Sequence, residues 1–210
     1  LMGAKPILID SGSPGDLPTL EKKLKKVGVT LAEIELLILT HAHFDHAGNA
    51  AAIRKCAGCQ VAAHESERAF LENGKNAVIM PYNFIAKLMN PFMNIPFAAT
   101  EVDIVVKASL DLNPYGADAR IILTPGHTPG SISVITTGGE AIVGDLIGGG
   151  LLLGLLLPDR PRYHYWIASM DEVHTSLKGL FAREIVKIHV GHGGPLSGIQ
   201  ARKFFSSNDC

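Results

Sequence analysis

Apolar and polar residues follow one another along this chain with a period that changes several times. Residues 1–3 and 7–9 are short apolar runs around Ala4-Lys5-Pro6, a pattern that predicts a hairpin ending at Asp10-Ser11-Gly12. A helical period comes next, with Leu17, Leu20, Leu24 and Val27 on one face, lysines on the other, and Gly28 as the stop. Thr30 and Glu33 have capping-box spacing, which predicts a short helix. The unbroken apolar run over 36–39 reads as a buried strand. Beyond it, the alanine-rich stretch 49–56 is predicted helical, 60–63 a short strand and 65–71 a helix. Alternation of this kind belongs to helices that cover a sheet.

The second half has a different rhythm. Residues 76–99 are apolar but broken by Pro81, Pro91 and Pro96, with Tyr82, Phe84, Phe92 and Phe97 between them. They read as irregular helix and loop, either a lid or a hydrophobic flap packed on the core. Strands are predicted over 104–106, 121–123, 131–136 and 141–143, with a turn at 137–140 and a glycine loop at 148–150. A helix over 165–180, a strand over 185–190 and a closing helix over 197–205 complete the chain. Without repeats, low-complexity segments or a linker, one domain over 1–210 is the simplest organisation. Leu1-Met2-Gly3 reads as the end of a strand, so the expectation allows for a preceding segment, a signal peptide included, ahead of residue 1.

Composition narrows the partners. A chain of 210 residues, 47% hydrophobic and 19% charged, can build a sizeable core. Its net charge of -1 supplies no attraction to nucleic acid or to an acidic membrane. The most apolar window, 141–157, is interrupted by Asp145 and several glycines and falls short of the ~20 apolar residues of a membrane span. A small-molecule substrate is therefore expected, with no nucleic acid and no membrane, and the oligomeric state is left open. Three cysteines make a disulfide framework an unsuitable reading and a reducing compartment, the cytoplasm, the expected one. Cys56-Ala-Gly-Cys59 has redox spacing, but the pair falls at the predicted end of a helix and start of a strand, so a structural role is expected.

Candidate chemistry sits directly after the 36–39 run. In Thr40-His41-Ala42-His43-Phe44-Asp45-His46-Ala47-Gly48, three imidazoles and a carboxylate crowd into six positions. A lone histidine is usually a hydrogen-bonded core residue, but four such groups packed together suit a divalent cation better. Later strands end in the same way. The 121–123 run leads into Thr124-Pro125-Gly126-His127-Thr128-Pro129-Gly130, 141–143 into Gly144-Asp145, and 188–190 into Gly191-His192. The candidates are His41, His43, Asp45, His46, His127, Asp145 and His192. In α/β proteins the loops leaving strand C-termini usually carry the chemistry.

Taken together, these motifs resemble the metallo-β-lactamase superfamily over nearly the whole chain, including Ile9-Asp10-Ser11-Gly12. The resemblance implies an α/β fold, the αββα sandwich, with two divalent ions at one edge: zinc, or iron or manganese in its place. By that similarity His41, His43 and His127 hold the first ion, and Asp45, His46 and His192 the second. Asp145 bridges them, and Asp10 supports the metal loops without ligating. Two ions ~3.5–4 Å apart can share one water and bring its pKa near 7, so the implied activity is hydrolysis by a bridging hydroxide. Asp45 is the implied catalytic residue, placed to orient the nucleophile and return a proton to the leaving group.

Within the superfamily, an aspartate at the Asp145 position is more similar to the hydroxyacylglutathione hydrolases (glyoxalase II), lactonases and phosphodiesterases than to the β-lactamases. Only 18 residues follow His192, where glyoxalase II carries a helical domain that helps bind glutathione, and this argues against a glutathione thioester. The alternative from another class is a mononuclear-iron oxidoreductase resembling persulfide dioxygenase, with two His and one Asp on the metal. A flavodiiron protein would have Glu where His43 stands, and a tRNA 3′-processing nuclease would want a basic extension.

The remaining histidines have simpler expected roles. His64 should cap the next helix or bond a neighbouring loop, His174 should lie on the surface, and His189 in the core or behind the ligands. Arg160, Arg162, Tyr163 and His164 follow the 148–150 loop and either bind substrate or anchor that loop. Tyr163 and His164 are the substrate-binding candidates, neither placed as a metal ligand. With 76–99 as the apolar wall of a pocket, the expected substrate is a small ester, thioester or lactone.

Overall fold

The computed structural model describes residues 1–3, 5–78 and 80–207; Ala4 of the predicted turn and Cys210 lie outside the described residues. The chain packs as two compact units, Leu1–Ala77 with Phe92–Asp118, and Val78–Pro91 with Ala119–Cys210.

The first unit is built on a parallel sheet. Its strands run in the order Ile7–Ile9, Leu36–Ile38, Gln60–His64 and Ile104–Val106, each parallel to the next. Leu36, Leu37, Ile38 and Leu39 are completely buried, as an inner strand of a parallel sheet requires. Helices Leu17–Lys26, Ala50–Ala57 and Glu65–Glu72 supply Leu17, Leu20, Leu24, Ile53 and Leu71 to the same core as Leu37, Leu39 and Val61. Val27 does not join them. The first helix stops at Lys26, Gly28 turns the chain at φ +75°, and Val27 is left exposed. The predicted capping box forms, with Glu33 bonding the Thr30 amide ahead of the short Leu31–Glu33 turn. The predicted hairpin is reduced to one bridge, Met2 to Pro6, because the Ile7–Ile9 strand takes its ladder from Leu36–Ile38.

In the second unit the sheet order is Leu196–Ser197, Lys187–His189, Glu140–Ile142, Ile132–Thr136 and Ala119–Leu123. Only the Lys187–His189 and Glu140–Ile142 pair is parallel. Helices Met170–Phe181 and Gly198–Ser206 bring Val173, Leu177, Leu180, Ala201 and Phe205 onto Ala141, Val143 and Ile188.

Three expectations are corrected here. The helix predicted from 165 begins at Met170, where the Ser169 hydroxyl accepts from the Glu172 amide. Residues 165–167 bond the backbone of Met80 and Tyr82 instead, through Tyr82 N to Tyr165 O and Ile167 N to Met80 O. The glycine loop at 148–150 is a strand, Gly148–Leu151, paired antiparallel with Leu156–Arg162 in a ribbon. The flap packed on the core is found only in part, with Ala77 and Phe97 buried in the core of the first unit. Phe84–Met89 is a short helix with Phe84 and Leu88 pointing outward, 80% and 69% exposed, and of it only Ala86 is buried.

Candidate metal centre

The 40–46 loop leaves the Leu36–Ile38 strand and passes into a single helical turn, Phe44–Ala47. Polar side chains from four other places in the first unit fix its shape. The Thr40 amide donates to Asp10 Oδ1 at 2.8 Å, and the Thr40 hydroxyl lies 2.8 Å from Asp10 Oδ2. The Ala42 amide donates to Glu67 Oε2 at 2.8 Å, and the Phe44 amide to Asn76 Oδ1 at 2.7 Å. Ser11 Oγ donates to the His46 carbonyl at 2.8 Å. Asp10 also meets His46 Nδ1 at 2.7 Å. That contact fixes the ring and directs Nε2 the other way, as a carboxylate behind a metal-binding histidine does. The His41 ring lies 4.6 Å from that of His43 and 4.1 Å from that of His46. All three rings are buried, and Asp45, in the first turn of the helix, is half-buried.

A second cluster forms in the second unit at the C-terminal ends of three strands. His127 follows Ala119–Leu123, Asp145 follows Glu140–Ile142 and His192 follows Lys187–His189. Three imidazole nitrogens face one carboxylate oxygen there. His164, His192 and His127 place Nε2 at 3.3, 3.5 and 3.7 Å from Asp145 Oδ2. His127 Nδ1 bonds the Trp166 carbonyl at 2.7 Å, which presents Nε2 as the ligating atom. The loop behind His127 is tied by hydroxyls. Thr124 pairs with Ser133 at 2.7 Å, Thr128 with Ser131 at 2.8 Å, and Ser176 donates to the Pro125 carbonyl at 2.8 Å. His127, Asp145 and His164 are buried, with ligand atoms within 4.8 Å of one another. Imidazoles beside a carboxylate are the donor set of zinc and other first-row divalent ions, so these residues fit a metal.

Each unit carries one group of the predicted ligands: His41, His43, Asp45 and His46 on one loop of the first, and His127, Asp145 and His192 at strand ends of the second. His164, expected to face substrate, joins the second group. Its neighbour Tyr163 points elsewhere, with its hydroxyl 3.0 Å from His174 Nε2 and its ring 5.0 Å from that of Phe205. His174 is accordingly half-buried and bonded, where the sequence suggested a surface position. His189 is not a core residue. It faces outward at 40% exposure and meets Glu140 at 2.7 Å beside Lys187, because Ile188 takes the inward position on that strand. His64 does both things expected of it, accepting from the Ser66 amide and bonding the Lys107 carbonyl. Arg162 anchors the ribbon by donating to the Gly150 carbonyl at 3.0 Å and lying over the Tyr165 ring. Cys56 is exposed and Cys59 buried; both are free, and burial pushes the Cys59 thiol up, away from redox reactivity. Glu67, Asn76 and Trp166 are the supporting residues that sequence reasoning missed. None has a spacing relation to the ligand motifs.

Parallel and mixed sheets whose strand ends gather histidines and aspartates define a class. The chain belongs to the metallo-beta-lactamase superfamily, whose family model matches residues 3–192. A probable metallo-hydrolase of Methanocaldococcus jannaschii is 36% identical over 193 residues, covering 92% of this chain and 85% of that protein. The probable metallo-hydrolase YqgX of Bacillus subtilis is 27% identical over 144 residues, 67% of this chain and 60% of its own length. Among solved structures, the MIM-1 metallo-beta-lactamase of Novosphingobium pentaromativorans aligns with a TM-score of 0.64 at 24% identity, covering 96% of this chain and 76% of that one. The subclass B3 enzyme BJP-1 of Bradyrhizobium japonicum aligns at 0.62 and 23%, over 97% and 80%. Those two likenesses establish the fold, the α/β metallo-β-lactamase fold expected from the sequence. Among the described residues, no helix is long and apolar enough to cross a membrane.

Proposed function

We propose that this chain is a dinuclear metal-dependent hydrolase that cleaves an ester, thioester or lactone of a small substrate. The observation that carries the reading is the Asp145 carboxylate facing three imidazole nitrogens in a chain of this superfamily. In this reading His41, His43 and His127 hold one ion, Asp45, His46 and His192 the other, and Asp145 serves both, with zinc the metal. The family match supports one functional domain, since a single model runs through both units and all four ligand loops. Bound there, divalent ions supply Lewis acidity and water of lowered pKa. The chain's own residues do the rest. Asp10 and the Trp166 carbonyl fix imidazole orientation from behind. The Asp45 carboxylate takes a proton and returns it to the leaving group. Exposed aromatic and aliphatic side chains on 80–88 offer the apolar contact for the substrate. The free thiols of Cys56 and Cys59 suit a reducing compartment, and we assign the chain to the cytoplasm.

The test is metal analysis of protein purified without added metal, followed by a panel of esters, thioesters, lactones and phosphodiesters. Two equivalents of zinc and turnover of an acyl substrate are expected. Asp145→Ala should lose metal and more than tenfold in kcat/KM while keeping its fold by circular dichroism. One iron per chain with oxygen consumption would instead mark the oxidoreductase alternative, and unchanged stoichiometry in Asp145→Ala would remove the shared-ligand role.

A further inference from the structure

We infer that His164 is a metal ligand, a further donor beside His127 and Asp145 that the second unit itself supplies. The inference deepens the metallo-hydrolase reading and rests on it for the presence of metal. Of the three imidazoles around Asp145 Oδ2, that of His164 comes closest, at 3.3 Å. The ring is 2% exposed, which suits a buried ligand better than a group that meets incoming substrate. Its orientation is fixed by the same atom that fixes His127. The Trp166 carbonyl lies 2.7 Å from His127 Nδ1 and 3.2 Å from His164 Nδ1. One carbonyl thus directs two Nε2 atoms toward one place, with the rings edge to face at 4.7 Å. The spacing discriminates between roles. A charge-assisted hydrogen bond would bring nitrogen to about 2.7–2.9 Å from the carboxylate oxygen. Donors on one tetrahedral zinc, each about 2.1 Å from the ion, stand about 3.4 Å apart. The observed 3.3 Å from His164 and 3.7 Å from His127 bracket that separation. The ribbon strand Leu156–Arg162 delivers the residue, which follows its last position by two.

Cobalt(II) titration of the full chain, followed by visible absorption, tests the assignment. His164→Gln should weaken cobalt binding at least tenfold and alter the ligand-field spectrum, with the melting temperature of the metal-free protein held near wild type. In a His41→Ala/His43→Ala background, one cobalt should still bind and should be lost when His164→Gln is added. Wild-type affinity and spectrum in His164→Gln, with a fall in kcat/KM, would overturn the inference and make His164 a substrate contact. If wild type binds a single ion and His164→Gln loses it, the assignment stands and the two-ion reading falls. Should the triple variant fail to fold, the single His164→Gln titration decides.

Discussion

Asp10 holds a left-handed backbone, φ +58°, a conformation that costs a residue other than glycine about 1 kcal/mol. Its carboxylate offsets that cost by accepting from Thr40 and fixing His46. Asp10→Asn keeps a residue that tolerates the left-handed region but gives His46 a neutral acceptor. Metal affinity should fall about 10–100-fold with little loss of stability, while Asp10→Ala should also lose about 1–3 kcal/mol. Metal titration beside thermal unfolding checks both, and an Asp10→Asn protein with wild-type affinity would show that Asp10 is only a structural brace. Residues of this kind differ in how visible they are in sequence. His41, His43, Asp45 and His46 stand out because they crowd together. Glu67 and Asn76 act 25 and 32 residues from the amides they hold, as single polar side chains among many. His164 was visible as a residue but not in its direction, which the Trp166 carbonyl sets.

At the scale of elements, loop and helix are fitted to each other. Gly126, at φ +139°, lies against the first turn of Met170–Phe181, where an added Cβ would fall 2.7 Å from the Val173 nitrogen and 2.9 Å from its Cα. Backbone cannot move aside as a side-chain tip can. Gly126→Ala should therefore cost about 1–3 kcal/mol in denaturant unfolding and lower metal affinity by displacing His127. A variant as stable as wild type, with its metal intact, would show that the helix is free to shift. The Pro and Gly residues around His127 made this tight loop legible in advance. The ribbon was not legible, because Leu151, Leu152, Leu155, Leu156 and Leu157 are exposed where an apolar run suggests burial, and Leu152, Leu153 and Leu157 take positive φ. Nor could the start of the helix at Met170 be read, since Tyr165, Trp166 and Ile167 carry a helical period while their backbone bonds Met80 and Tyr82.

For the whole molecule, the fold class was legible through the family resemblance that the ligand motifs carry, whereas the division into two units was not. The break after Asp118 falls in a stretch with no change of composition. Global stability should carry a mark of Asp103. Its hydrogen bond to Arg54, and a further bond from the Val61 amide, hold its carboxyl below the usual carboxylate range. A carboxyl depressed in the folded state contributes fully above its unfolded value near pH 4, and that contribution is lost as pH falls through the folded value. Melting temperature should therefore drop on acidification below about pH 4, and Asp103→Asn should be less stable at pH 7 with a shallower acid limb. Parallel curves for the two proteins would show that Asp103 is unlinked to folding.

The 40–44 loop has one more consequence. Three of its amides are held not by a backbone ladder but by single side chains, Thr40 by Asp10, Ala42 by Glu67 and Phe44 by Asn76. Each of these protons exchanges with solvent only when its own acceptor lets go. The loop thus carries three separate clocks for its opening, each addressed by one remote residue.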